Sequence, residues 1–126
     1  MNPPPSFYLS PDTAPHLPGL AELLPLFPDR FSPEGTPLSF KADHPARGFR
    51  IASDPAGVTI HHARPCDAYR ALAHLLAGQA SGEAQETPFE SLGVMLDVSR
   101  NAVLRPEAVE RLFRLFALMG IKSVQL

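Results

Sequence analysis

Apolar and polar residues alternate in several short stretches of the first half of the chain, the pattern of half-buried β-strands. The strands predicted from this alternation are Ser6–Ser10, Pro37–Ala42, Gly48–Ser53 and Gly57–His62. The last two are joined by Asp54-Pro55-Ala56-Gly57, where Pro and Gly suit the conformations that a tight turn requires. We therefore expect these two strands to form a β-hairpin.

Apolar residues recur at helical spacing in three other segments. The helices predicted there are Pro18–Phe27, Cys66–Ala77 and Pro106–Met119. Pro25 is expected to end or kink the first helix, because proline cannot donate the helical hydrogen bond. In the second, Asp67 is placed to cap the start and Gly78 to end it. Gly120 ends the third.

In the last part of the chain, the pattern of apolar residues is different from that of the first half. Leu92–Val98 is almost continuously apolar, which is typical of a strand buried on both faces of a parallel sheet. A helix and a second strand, Ile121–Leu126, follow within about 35 residues, the length of a βαβ unit. Gln79–Pro88 is rich in Gly, Ser, Ala, Gln and Glu and is interpreted as a linker. We therefore predict an α+β domain over residues 1–87 and a strand–helix–strand segment over residues 88–126.

The composition bears on which partners the protein can bind and on where in the cell it is expected. With 11 basic and 13 acidic residues, the net charge is -2, which argues against a nucleic-acid or anionic-membrane partner. The single cysteine, Cys66, belongs to no zinc-ligand spacing, so no metal and no cofactor are predicted. The first residues lack the basic start and apolar run of a signal peptide, so we expect a cytoplasmic protein.

Two residues that are candidates for binding a ligand follow the first predicted strand of the last segment. Asp97 and Arg100 follow the apolar run, at the position where ligands bind in (β/α) barrels. Arginine presents a planar fork of donors that suits adjacent oxygens, such as sugar hydroxyls or a carboxylate. An Asp97–Arg100 ion pair that braces the loop is an equally good explanation of the position alone.

These residues also carry a resemblance to a known family. Gly93-Val94-Met95-Leu96-Asp97-Val98-Ser99-Arg100-Asn101, then Pro106-Glu107 and the stretch from Leu112 to Lys122, resemble the barrel opening of the family 20 glycoside hydrolases, the β-N-acetylhexosaminidases. Upstream, Ile51–Ala77 is similar to the small α+β domain that precedes the barrel in that family. The resemblance covers roughly residues 49–126. It implies a small mixed sheet with helices packed on one face, followed by one βαβ unit of a truncated (β/α) barrel.

The resemblance also implies roles for individual residues. Arg100 matches the family arginine that binds hydroxyls of the terminal sugar, and Asp97 is given a supporting role. The family's catalytic Asp-Glu pair lies on a later barrel strand, and the 126 residues contain neither an Asp-Glu dipeptide nor a tryptophan. We therefore expect no catalytic residue in this chain. A complete enzyme would hydrolyse terminal N-acetylhexosamine residues with participation of the substrate's acetamido oxygen.

A second hypothesis is a stand-alone, non-catalytic α+β interaction module. In that module the last segment provides a dimer contact. Under either hypothesis we expect the last segment to add its strands to the α+β sheet or to form a homodimer, because unpaired strand edges favour association. Two adjacent histidines, His61 and His62, are expected to point to opposite faces of their strand and so cannot both bind one metal.

Overall fold

The computed structural model describes residues 2–99 and 103–126, and the fold is α+β, as expected. The strands are β1 (Phe7–Leu9), β2 (Thr36–Lys41), β3 (Gly48–Asp54), β4 (Gly57–His62), β5 (Gln85–Glu86), β6 (Gly93–Met95) and β7 (Ser123–Gln125). The α-helices are α1 (Leu20–Leu23), α2 (Pro65–Leu76) and α3 (Pro106–Leu118), and two 3-10 helices cover Pro11–His16 and Leu24–Leu26.

Five strands form one mixed sheet in the order β1-β2-β4-β3-β5. β1, β2 and β4 run parallel, whereas β3 is antiparallel to both β4 and β5. The predicted hairpin is confirmed, with its turn at Asp54–Gly57. The carboxylate of Asp54 accepts the backbone N–H groups of Ala56 (2.7 Å) and Gly57 (3.2 Å), which fixes the turn.

One face of this sheet forms the hydrophobic core together with the helices. Inward-facing residues alternate along the strands as the sequence predicts, and Leu38, Ile51 and Ile60 are buried. α2 packs over β3 and β4 with one buried apolar stripe that includes Leu72. The opposite face carries polar side chains such as Ser39 and Thr59, whose hydroxyls lie 3.2 Å apart. The helices therefore cover one face only.

One helix prediction needs correction. The expected helix Pro18–Phe27 is a four-residue α-helix followed by a 3-10 turn, because Pro25 removes a helical donor. Asp67 caps the start of α2 as predicted, although the N-cap residue itself is Arg64. Asp67 is the third residue of the helix, and its carboxylate accepts the Arg64 backbone N–H at 3.1 Å in a capping box. Gly78 follows the helix with a φ of +72°, as a C-terminal glycine should.

The last segment forms the predicted strand–helix–strand unit, and β6 and β7 pair in parallel. It is a separate two-stranded sheet, so of the two expected arrangements the addition of these strands to the α+β sheet is wrong. The predicted strand Leu92–Val98 shrinks to three residues, and it is not buried on both faces, since Met95 is 73% exposed. A two-stranded sheet has too few neighbours to cover it.

α3 joins this unit to the α+β domain. Leu118 is buried and belongs to the hydrophobic core, where α3 packs against α2. Arg114 adds a contact to Glu22 of α1 at 3.4 Å and lies 3.9 Å from Glu110, its i, i+4 partner. Among the described residues, no helix is long and apolar enough to cross a membrane.

Candidate functional site

The sequence-predicted site lies at the carboxyl ends of β6 and β7. Because the two strands are parallel, Asp97 after β6 and Leu126 after β7 lie at the same edge. A shallow depression of about 480 Å³ opens there. Its lining residues are Met95, Leu96, Asp97, Val98, Ser99 and Leu126. The size fits a small ligand, and the lining is mainly apolar with one carboxylate and one hydroxyl.

Asp97 is exposed and is held by its own loop. Its carboxylate accepts the backbone N–H of Ser99 at 2.8 Å and the Ser99 hydroxyl as well. These two hydrogen bonds, the one from the hydroxyl first, lower the pKa of Asp97 below its ordinary value. The side chain is therefore an anion at neutral pH, and the turn with Ser99 orients it. This geometry suits the supporting role predicted for Asp97.

Arg100, the predicted sugar-binding residue, lies outside the described residues, together with Asn101. The choice between a ligand-binding Arg100 and an Asp97–Arg100 ion pair therefore stays open. What the structure adds is the position of the preceding residue, Ser99, at the mouth of the depression.

A second polar arrangement, which sequence reasoning missed, joins α2 to the linker. The guanidinium of Arg64 donates to both carboxylate oxygens of Asp67 (Nε–Oδ2 3.0 Å, Nη2–Oδ1 3.2 Å), and Asp67 is buried. The Thr87 hydroxyl donates to Asp67 at 3.1 Å and lies 3.4 Å from Nη1 of Arg70. Arg64 also donates to the carbonyl of Glu90. The network attaches the linker to the first turn of α2.

Electrostatics agree with a structural role for this network. Burial acts to raise the pKa of Asp67, but the hydrogen bonds from the side chain and backbone of Arg64 outweigh it, and the pKa is lowered. The same pairing raises the pKa of Arg64. A signal was present in the sequence, since an Arg and an Asp three residues apart flank the Pro at the helix start.

The network borders a cleft of about 270 Å³ between α2, the linker and the segment after α3. Arg64, Cys66, Arg70 and Lys122 are among its lining residues. Arg64 is engaged by Asp67, and the guanidinium of Arg70 lies 5.6 Å from the ring centre of Phe49. Both arginines are thus committed to contacts within the domain. Cys66 is half-buried in this cleft.

The adjacent histidines of β4 point to opposite faces, as predicted. His61 contacts Asp43 on the polar face, with Nδ1 2.7 Å from Oδ1. That contact lowers the pKa of Asp43. His62 is buried on the core face beside Phe40. Within residues 2–99 and 103–126, no group of three His, Cys, Asp or Glu side chains could hold a metal ion.

Two comparisons with known proteins were made for the whole chain. Neither protein-family models nor curated proteins give a match to it.

Proposed function

We propose that this chain is the N-terminal part of a protein resembling the β-N-acetylhexosaminidases: an α+β domain and the first strand–helix–strand unit of a catalytic barrel. The complete protein would hydrolyse terminal N-acetylhexosamine residues in the cytoplasm, without a cofactor. The 126 residues alone are inactive, because no Asp-Glu dipeptide occurs in them.

The observation that carries this proposal is the distribution of exposed apolar side chains. Among the large hydrophobic residues that are exposed in the described part, all but Tyr8 lie within residues 89–126. Met95, Val103 and Leu126 are each more than 60% exposed. Exposed apolar side chains concentrated in one segment are typical of a surface that is covered by another part of the protein or by a partner. Further parallel strands and helices of a barrel would cover it, because β6 and β7 already have the parallel pairing of neighbouring barrel strands.

The position of Asp97 also supports the proposal. It follows β6 at the carboxyl edge shared with β7, which is the edge where barrel enzymes bind substrate. In the proposed site, Arg100 donates hydrogen bonds to hydroxyls of the terminal sugar. Asp97 fixes the start of the same loop through Ser99.

The test uses the whole reading frame that contains residues 1–126. Its product should release nitrophenol from a nitrophenyl N-acetyl-β-glucosaminide, and the 126-residue chain should release none. Arg100→Ala should lower kcat/KM by about 10- to 100-fold, the equivalent of lost charged hydrogen bonds to substrate. Arg111→Ala, which removes an exposed arginine of α3, is the matched control and should leave kcat/KM unchanged.

Two results would overturn the proposal. One is a reading frame that ends at Leu126. The other is a longer product that has no hexosaminidase activity, or one in which the Arg100 and Arg111 variants are equally active.

A second candidate function is a non-catalytic module that forms a homodimer through residues 88–126. The same exposed apolar side chains favour it, since a second copy would also cover them. Sedimentation equilibrium tests the module. A dimer that Met95→Lys dissociates supports it, whereas a monomer over the whole concentration range excludes it.

A further inference from the structure

The most unusual buried group of the chain is the imidazole of His62. Along β4, the other core-facing residues are Val58 and Ile60, and His62 takes the third such position with 1% exposure. Neither Nδ1 nor Nε2 has a hydrogen-bond partner among the described residues. A neutral imidazole always has one N–H donor and one acceptor nitrogen, so its burial without partners costs free energy.

One neighbour of the ring lies on a short N-terminal segment. This segment, called the cap below, is the 3-10 helix Pro11–His16. The exposed His16 ring lies parallel to that of His62, with centroids 6.0 Å apart. Phe40 packs against His62 edge-on from β2, at 6.4 Å. This six-residue segment therefore contributes one of the rings that pack near His62.

Three elements place charged or titratable groups around this ring. Burial is the main influence, and it lowers the pKa of His62, with His16 on the cap acting in the same direction. The backbone of Arg64 and the carboxylates of Asp67 on α2 and Asp43 after β2 act in the opposite direction. None of them forms a hydrogen bond of good geometry with the ring. The net direction follows from the burial.

The consequence for pH has a definite sign. An imidazole in water has a pKa of about 6.5, and the pKa of buried His62 is lower. At a pH between these two pKa values, a state that exposes His62 binds a proton that the closed state does not. The ratio of the exposed to the closed population therefore increases as pH falls below about 6.5, by up to tenfold per pH unit.

The cap is a short 3-10 helix. 3-10 helices have poorer hydrogen-bond geometry than α-helices. Its contacts with the preceding turn include the Thr13 N–H, which donates to the Ser10 carbonyl at 3.0 Å, and the Asp12 N–H, which lies 3.4 Å from the Ser10 hydroxyl. Leu17, immediately after it, is anchored in the core with 1% exposure. β4, by contrast, is paired on both sides by β2 and β3.

We propose that His62 and the cap form an acid-operated switch: protonation of His62 below neutral pH opens Pro11–His16 and exposes this end of the core, while the sheet stays folded. The opening is local, with Leu17 as the hinge point.

The test is amide hydrogen exchange of the intact chain between pH 7 and pH 5, expressed as protection factors. The amides between Asp12 and Leu17 should lose protection as pH falls below about 6.5, by up to about tenfold per pH unit. Those of Ile51 and Ile60 should keep theirs. In His62→Leu, which cannot take up a proton there, the protection of the cap should be independent of pH. His62→Phe serves as a second uncharged variant if the smaller side chain leaves the core unstable.

His74→Gln is the matched control. His74 also has a pKa lowered by burial, but it packs on Phe49 from α2, away from the cap. In this variant, the cap amides should lose protection with falling pH as they do in the wild type. Three results would overturn the proposal: cap protection that does not change between pH 7 and pH 5, the same pH dependence in both His62 variants, or loss of protection at Ile60 together with the cap.

Discussion

The guanidinium of Arg64 binds both carboxylate oxygens of buried Asp67 across the first turn of α2. Asp67→Asn keeps the shape of the side chain but removes its charge. It also replaces one carboxylate oxygen by an NH₂ group, which cannot accept the hydrogen bonds that Asp67 accepts. We expect it to lower the free energy of unfolding by about 3 kcal/mol, the usual cost of breaking a buried ion pair. Urea denaturation measures this loss. Asp29→Asn, at an exposed position, should cost less than about 0.5 kcal/mol. Equal losses in the two variants would show that the pair contributes nothing.

The same pair predicts an acid-sensitive stability. The pKa of Asp67 is lower in the folded than in the unfolded protein, so its contribution is complete above the unfolded value of 3.8. It is lost as pH falls from there through the folded pKa. In the wild type, the free energy of unfolding should therefore drop below about pH 4, and the drop should be shallower in Asp67→Asn. An identical decrease in the free energy of unfolding below about pH 4 in the two proteins would contradict this.

Gly120 ends α3 with a φ of +78°, and an added Cβ would lie 3.0 Å from Cδ of Arg70. Gly78 has nearly the same backbone, with a φ of +72°, but open space around it. Gly78→Ala should cost about 1 kcal/mol from the left-handed conformation alone. Gly120→Ala should cost roughly 1 kcal/mol more, because Arg70 must move.

An Arg70→Ala background provides the control for this comparison. It removes Cδ and Cγ of the Arg70 side chain but keeps its Cβ, 3.3 Å from the added Cβ, so most of the extra cost of Gly120→Ala should disappear there. An extra cost that persists in full in the Arg70→Ala background would place the strain elsewhere.

Leu118 carries the packing of α3 on the α+β domain, since it is buried in the core. Leu118→Ala should lower the free energy of unfolding by about 2–4 kcal/mol. Leu115 lies on the same helix but is 38% exposed, and Leu115→Ala should cost less than about 0.5 kcal/mol. Thermal denaturation compares the two variants. Similar losses at both positions would show that α3 does not dock through Leu118.

Local signals in the sequence predict the local parts of this fold well. The turn residues Asp54 and Gly57 predict the hairpin, and the apolar stripe of α2 with Gly78 predicts that helix nearly to the residue. The alternation along Gly57–His62 also predicts β4, and Val58 and Ile60 lie on its buried face.

Features that depend on distant partners are not predictable in this way. The parallel pairing of β1 with β2 depends on the long connection between them, in which the Arg30 carbonyl accepts the N–H of Phe7 at 2.8 Å. The role of Asp67 depends on Arg64 and Thr87 together. The exposure of Met95 depends on which neighbours cover it, and no pattern within the strand carries that information.

The central claim is that later barrel strands cover β6 and β7. Amide hydrogen exchange of Gly93–Met95 and Ser123–Gln125 tests it, with the 126-residue chain and the product of the whole reading frame measured side by side. The account predicts fast exchange at the outer amides of both strands in the chain, and about 100-fold or greater protection in the longer protein. Equal exchange in the two proteins would contradict it, and so would protection in the chain alone that rises with its concentration.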